Sequence, residues 1–198
     1  MKIGILLSGG IDSTSLLWWK RPNIAYTVDY GQLPARAEIE ASTAICKRLK
    51  IPHTVIKVDC KSLGSGDLAG KEPNQHAPES DWWPFRNQLL VTLVAMTAIT
   101  DGVTHLLLGT VKSDSIHKDG TKEFFNAISQ LTECQEGNLV IEAPALDLSS
   151  VDLVRLSEIP LESLAWAHSC HTANISCGAC RGCNKYFQVF HEIGYGLD

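Results

Sequence analysis

No stretch of this 198-residue sequence is long and apolar enough to cross a membrane. The longest apolar stretch beyond the N-terminus, Leu89–Ile99, is too short and is interrupted by polar residues. The N-terminal run Met1–Leu7 is also short, and neither an apolar core of signal-peptide length nor a small-residue cleavage site follows it. We therefore predict that this run contains a buried strand and that the protein is cytoplasmic.

The sequence also lacks any dense block of lysine or arginine. Its 17 Lys and Arg residues stand against 22 Asp and Glu residues, which gives a net charge of −5. Proteins that bind nucleic acids usually present a basic patch, because neutralising backbone phosphates drives their affinity. A polynucleotide partner is therefore disfavoured. The length and the 44% apolar content suit one globular domain over residues 1–198, with no internal repeat.

Four of the seven cysteines lie close together near the C-terminus. They are Cys170, Cys177, Cys180 and Cys183. Disulfides are rare in the cytoplasm, so four thiolates in the segment 170–183 predict a tetrahedral structural zinc site, with an iron–sulfur cluster as the main alternative. Arg181 and Lys185 are expected to offset part of the thiolate charge, and the flanking His168 and His171 are not expected to be ligands.

Short apolar or β-branched runs alternate with segments of helical periodicity along the chain. The predicted strands are Lys2–Leu7, Asn23–Asp29, His53–Val58, Thr104–Leu108 and Leu139–Ala143. The predicted helices are Ser13–Lys20, Ala35–Leu49, Leu89–Thr100, Glu123–Leu131, Val151–Glu158 and Asn184–Glu192. This alternation predicts an α/β fold with a twisted parallel sheet and helices on both faces. The segment Ser62–Pro84 shows no periodicity, which is typical of a lid, a binding loop or a disordered segment.

The loop Ser8–Ser13, with the sequence SGGIDS, follows the first predicted strand and leads into a helix. Such a turn directs backbone N–H groups and the positive end of the helix dipole towards one point, which favours an anion. The loop has neither the Gly-Lys-Ser/Thr ending of a Walker A motif nor the Gly-x-Gly-x-x-Gly pattern of a dinucleotide fold. It therefore predicts a pyrophosphate site of another class.

The loop resembles the signature of the N-type ATP pyrophosphatases, which release AMP and pyrophosphate from ATP. The loop and the cysteine spacing together resemble the 7-cyano-7-deazaguanine synthase family, and the resemblance covers most of the chain. Further matches are Asp29–Gln32, Arg36–Glu38, Arg86–Asn87, Gly109 with Asp114, Asp119, Glu123–Phe124 and Pro144. The resemblance implies an adenine nucleotide alpha hydrolase-like fold, the cofactors ATP, Mg²⁺ and Zn²⁺, and a homodimer.

The resemblance also implies a reaction. ATP adenylates 7-carboxy-7-deazaguanine, ammonia displaces AMP to give an amide, and a second ATP converts the amide into the nitrile 7-cyano-7-deazaguanine (preQ0). The ATP-binding residues implied are Ser8, Gly9, Gly10, Asp12 and Ser13. The candidate catalytic residues are Asp12, Ser13, Arg86 and Lys112, of which Arg86 and Lys112 are chosen as cations that would spread the charge that builds on pyrophosphate. Asp114 and Asp119 are expected to bind substrate, because carboxylates pair with the amidine-like edge of a deazaguanine.

The sequence departs from the family pattern at three places. Phe85 stands where the family has glycine, His117–Thr121 replaces a different substrate segment, and Ser150 falls on a family lysine. These departures leave open an alternative in which a deazaguanine-like acid is activated for attachment to a protein or nucleic acid. A tRNA-thiolation relative and a non-catalytic nucleotide-binding module are further alternatives. Trp82, Trp83 and Phe85 can either stack on a flat ring or close the long loop as a hydrophobic latch.

Overall fold

The computed structural model describes residues 1–194, in which five short strands form one sheet. The strands are β1 (Ile3–Leu6), β2 (Ile24–Asp29), β3 (His53–Lys57), β4 (His105–Leu108) and β5 (Val140–Glu142). The helices are α1 (Ile11–Lys20), α2 (Ala35–Leu49), α3 (Gly66–Ala69), α4 (Arg86–Ala98), α5 (Lys122–Glu133), α6 (Ser150–Ser157), α7 (Leu161–Leu164) and α8 (Arg181–Glu192). Within the described range, no helix is long and apolar enough to cross a membrane.

The strands run in the order β3-β2-β1-β4-β5, and every neighbouring pair is parallel. The chain first moves outward from β1 to β3 and then crosses back to β4 on the other side of β1. The carboxyl ends of β1 and β4 therefore form the topological switch point, where open α/β sheets bind their ligands.

Helices cover both faces of the sheet. Neighbouring residues on a strand point to opposite faces, so each strand contributes apolar side chains to both layers of helices. Tyr26 and Leu106 pack in one apolar cluster with α4 and α5. Ala25 and Leu107, each one residue away, pack in a second cluster with Leu16 of α1 and with α2. The predicted fold class is confirmed.

The elements differ from the sequence prediction mainly in α4 and in the long loop. Helix α4 begins at Arg86 instead of Leu89, because Phe85 adopts a left-handed backbone with φ of 55° and the Asp119 carboxylate accepts the Asn87 N–H at 3.1 Å. The segment Ser62–Pro84 contains the short helix α3 and ends at a Trp83 ring that is 2% exposed.

Trp83 fixes the long loop to the body of the protein. Its ring packs edge-on against Tyr30, with the ring centroids 4.9 Å apart. Phe85 is 75% exposed, and neither Phe85, Trp82 nor Trp83 lines the cavity described below. For Trp83 the latch interpretation therefore agrees with the structure better than stacking on a ligand.

Candidate active site

A cavity of about 250 Å³ opens at the switch point between β1 and β4. The loops that follow these two strands come into direct contact there. A Cβ atom added to Gly109, after β4, would lie 2.7 Å from the Ser13 Cα atom. Glycine at this position therefore allows the first turn of α1 to form one wall of the cavity.

The loop after β1 is held in a compact conformation by its own hydroxyl groups. The Ser8 and Ser13 oxygens lie 3.0 Å apart, and the Ser13 hydroxyl donates to the Gly10 carbonyl at 3.1 Å. The cavity is lined by Ser8, Gly10, Asp12 and Ser13. Gly9 belongs to the same loop but is buried and does not line the cavity. The N-terminal turn of α1 therefore faces the cavity, as an anion-binding loop requires.

We expect Gly9→Ala to disrupt this loop far more than the matched change Gly102→Ala. Both glycines have left-handed backbones, with φ of 75° and 73°. A Cβ at Gly9 would lie 2.6 Å from the Glu38 carbonyl oxygen, whereas a Cβ at Gly102 would meet nothing within 4 Å. Both variants bear the backbone cost of roughly 1–2 kcal/mol, but only Gly9→Ala must also shift the loop. Thermal unfolding should show a larger loss of stability for Gly9→Ala than for Gly102→Ala, and calorimetric titration should show a larger loss of affinity for ATP. Equal behaviour of the two variants would contradict the loop geometry.

Asp12 carries a carboxylate oxygen that has no partner among the described residues. Its Oδ2 atom accepts from Lys185 Nζ at 2.6 Å, but its buried Oδ1 atom makes no hydrogen bond. Burial raises the pKa of Asp12, and the charge of Lys185 opposes that rise. An unpartnered carboxylate oxygen in the wall of a polar cavity is a suitable ligand for Mg²⁺, which prefers oxygen donors.

Lys185, and not Lys112, is the lysine that lines the cavity. Lys112 lies in a 3₁₀ turn after β4 and is exposed. Lys185 projects from α8 and also donates to Asp114 Oδ1 at 3.2 Å, while the other oxygen of Asp114 accepts the Val111 N–H. The sequence interpretation had connected Lys185 with the cysteine thiolates, because nothing local reveals that α8 packs beside the loop after β1.

Arg86, Asp114 and Asp119 line the same cavity, so the structure brings these predicted residues together with Asp12. Asp119 has a structural contact as well, because it accepts hydrogen bonds from the backbone and side chain of Asn87. Burial works to lower the pKa of Arg86, but its interactions with Tyr30 and with nearby carboxylates such as Asp119 outweigh burial and raise the pKa. Arg86 is therefore a cation at neutral pH.

A buried carboxylate that sequence reasoning missed, Asp81, joins three segments of the chain at this cavity. Asp81 Oδ1 lies 3.2 Å from His117 Nε2 and 3.3 Å from Arg181 Nη1. Burial works to raise the pKa of Asp81, but the hydrogen bond from His117 and the charge of Arg181 outweigh it and hold the pKa below its usual range. Burial lowers the pKa of the nearby His171 to about 4, so its ring is neutral at pH 7. These residues are far apart in sequence, and no local pattern reveals their contact.

Glu38 contributes another carboxyl group to the cavity. Gln32 holds it in place by donating to Glu38 Oε2 at 2.7 Å. Burial raises the pKa of Glu38 to about 7. The group can therefore exchange a proton near neutral pH.

The four clustered cysteines have the spacing of ligands around a single ion. Their sulfur atoms all lie within 4.8 Å of one another, and this group can hold a metal ion. The Sγ atoms of Cys177 and Cys183 lie 3.8 Å apart, and those of Cys170 and Cys180 lie 3.9 Å apart. Four sulfurs placed tetrahedrally at about 2.3 Å from an ion lie roughly 3.8 Å apart. Helix α8 begins directly after Cys180, so the cluster fixes the helix that carries Arg181 and Lys185.

Comparison with known proteins gives a consistent result over nearly the whole chain. The family model described as queuosine biosynthesis protein QueC matches residues 2–194. A 7-cyano-7-deazaguanine synthase from Chromobacterium violaceum is 29% identical, with 96% of this chain and 89% of that protein covered. One from Methanoregula boonei is 30% identical, with 98% and 96% covered. A solved alcohol dehydrogenase from Comamonas testosteroni has a TM-score of 0.40 and 14% identity, a likeness too small to support any inference.

Proposed function

The chain belongs to the family of queuosine biosynthesis protein QueC, and on that premise we propose that it is an AMP-forming carbon–nitrogen ligase. Its substrates are 7-carboxy-7-deazaguanine, ammonia and ATP, and its product is 7-cyano-7-deazaguanine. The observation that carries the proposal is the Ser8–Ser13 loop, where a buried, unpartnered Asp12 oxygen lies in the wall of the cavity beside Lys185.

The first half of the reaction makes an amide. A carboxylate oxygen attacks the α-phosphorus of ATP, and the bond from that phosphorus to the β-phosphate oxygen breaks to release pyrophosphate. Ammonia then attacks the acyl carbon of the adenylate. The carbon–oxygen bond to AMP breaks, and one proton leaves the nitrogen.

The second half repeats the activation on the amide oxygen. A second ATP loses pyrophosphate as the amide oxygen is adenylated, and the nitrogen gives up a proton. The carbon–oxygen bond to AMP then breaks, the nitrogen loses its last proton, and the nitrile forms. Neither half needs a covalent protein nucleophile, so the protein's contribution is positioning, charge stabilisation and exclusion of water.

The cavity supplies groups for each of these contributions. Ser8, Gly10 and Ser13 would bind the pyrophosphate, with Gly9 shaping their loop. Asp12 would hold Mg²⁺, which spreads the negative charge that develops on the pyrophosphate. Arg86 is a second cation in the wall, and Asp114 and Asp119 present carboxylates to the amidine-like edge of the base.

We also propose that the four cysteines bind one structural zinc ion. The sulfur–sulfur distances of 3.8 and 3.9 Å match a single tetrahedral ion. An iron–sulfur cluster distributes its cysteines over different iron atoms, which would hold some of the sulfurs farther apart than the 4.8 Å within which all four lie here. All four ligands are protein thiolates, which leaves no open position for a catalytic water.

One structural observation favours a second candidate, in which the same acid is activated but a different acceptor is used. His117 begins the segment that departs from the family pattern, and it is 6% exposed and lines the cavity. The altered segment therefore lies where substrate would bind, and a changed acceptor would be recognised there.

Mass spectrometry of the product together with counting of AMP tests both candidates. We expect purified protein with ATP, Mg²⁺, ammonium and 7-carboxy-7-deazaguanine to yield the nitrile with two AMP per product, and no nitrile without ammonium. An amide or a conjugate with one AMP per product would favour the second candidate. ADP as the only nucleotide product would contradict both.

A further inference from the structure

The ammonium group of Lys185 is held between two carboxylates in the wall of the cavity. Its Nζ atom lies 2.6 Å from Asp12 Oδ2 and 3.2 Å from Asp114 Oδ1. The side chain of Lys185 is 26% exposed, and all three residues line the cavity. A lysine ammonium has three N–H donors, so two contacts leave one donor for a further acceptor.

Helix α6 brings a second residue, Ser150, close to Asp12. Ser150 is the first residue of α6 and is 8% exposed, and α6 packs against α1, the helix that carries Asp12. The Ser150 hydroxyl group also works to lower the pKa of Asp12. A longer side chain at position 150 would therefore be within reach of the carboxylate that Lys185 already contacts. The family has a lysine at the position of Ser150. That lysine and the Lys185 of this chain would place their charges at the same location.

We propose that Lys185 is the cation that binds the polyphosphate of ATP in this protein, supplied from α8 in place of a lysine at position 150. The inference deepens the proposed function and rests on it. The remaining N–H of Lys185 would donate to a phosphate oxygen next to the loop, while its other donors keep Asp12 and Asp114 oriented.

The charge balance of the cavity supports this assignment. Without Lys185, the carboxylates of Asp12 and Asp114 would present two adjacent negative charges to an anionic nucleotide in a partly buried site, where repulsion is strong. Lys112 cannot relieve that repulsion from its exposed turn outside the cavity. A neutral residue at position 185 is therefore expected to weaken nucleotide binding as well as turnover.

Moving the charge from one helix to the other tests the assignment. The variants are Lys185→Gln, Ser150→Lys and the double variant Ser150→Lys/Lys185→Gln, with the exposed Lys122→Gln as the matched control. Calorimetry would measure binding of α,β-methylene-ATP with Mg²⁺, since this analogue cannot be cleaved at the reacting bond. We expect Lys185→Gln to weaken binding at least tenfold, the double variant to recover most of that loss, and the control to bind like the parent.

Two outcomes would overturn the assignment: parent-like binding by folded Lys185→Gln, or no recovery in a folded double variant. If Lys185→Gln does not fold, Asp114→Asn/Lys185→Gln keeps the local charge balance and must still bind the analogue at least tenfold more weakly than Asp114→Asn. Parent-like binding by that pair would also reject the proposal. A parent protein that binds the analogue but makes no nitrile would count against the proposed function alone.

Discussion

Replacement of Asp12 by alanine should lower AMP formation from ATP by about a hundred- to a thousandfold and leave the fold intact, because it removes the carboxylate that would hold Mg²⁺ against the developing charge. The buried Oδ1 atom of Asp12 has no partner to lose within residues 1–194. The Oδ2 atom loses its contact with Lys185, but Lys185 keeps Asp114 as a partner. Burial raises the pKa of Asp12, which means that its charged form is destabilised in the folded protein. Removing the group should therefore affect turnover much more than stability.

Asp147 provides the control for this substitution. It is exposed, lies outside the cavity, and forms no ion pair within the described part of the chain. Asp147→Ala should keep the parent's rate of AMP formation and its circular dichroism spectrum. An Asp12→Ala protein that is folded and forms AMP at the parent's rate would remove Asp12 from the site.

Replacement of Cys177 by alanine should abolish stoichiometric zinc binding and lower the melting temperature strongly. Structural zinc contributes about 10–16 kcal/mol in small zinc-binding peptides, which is as large as the whole stability of a typical domain, about 5–15 kcal/mol. Cys177 is exposed, so its loss removes a ligand without opening a cavity in the core. Because α8 starts within the cluster, the same change should also weaken nucleotide binding through Lys185.

Cys134 is the matched control, since it is also exposed but lies outside the cluster. Elemental analysis should find one zinc per chain in the parent and in Cys134→Ala, and much less in Cys177→Ala. Iron in place of zinc in the parent protein would contradict the assignment of the metal as zinc. A Cys177→Ala protein that melts like the parent would show that the cluster does not stabilise the fold.

The parts of this site that the sequence predicts are those encoded by short, continuous segments. The Ser8–Ser13 loop carries its glycines and hydroxyls within one turn, and the cysteine spacing 170–183 brings four thiolates together with few intervening residues. The five strands and the larger helices are equally local, since each depends on its own periodicity. Their predicted bounds therefore differ from the observed bounds by only a few residues.

The remaining parts depend on how distant segments pack. Lys112 follows β4, where a sheet binds its ligands, but the 3₁₀ turn that begins there leaves the residue exposed. Lys185 and Asp81 reach the cavity because α8 and the long loop pack against its walls. Asp119 was predicted as a substrate carboxylate and also accepts hydrogen bonds from Asn87 at the start of α4. Contacts of this kind have no signature in a single sequence.

The central claim is that the substrate's own oxygen atoms are transferred to AMP, and isotope labelling tests it most directly. The reaction would be run with 7-carboxy-7-deazaguanine carrying ¹⁸O at both carboxylate positions, and the AMP would be analysed by mass spectrometry. Adenylation at each step predicts one ¹⁸O in every AMP released, unlabelled pyrophosphate and a nitrile without oxygen from the carboxylate. Unlabelled AMP, or ¹⁸O recovered in inorganic phosphate, would contradict the account.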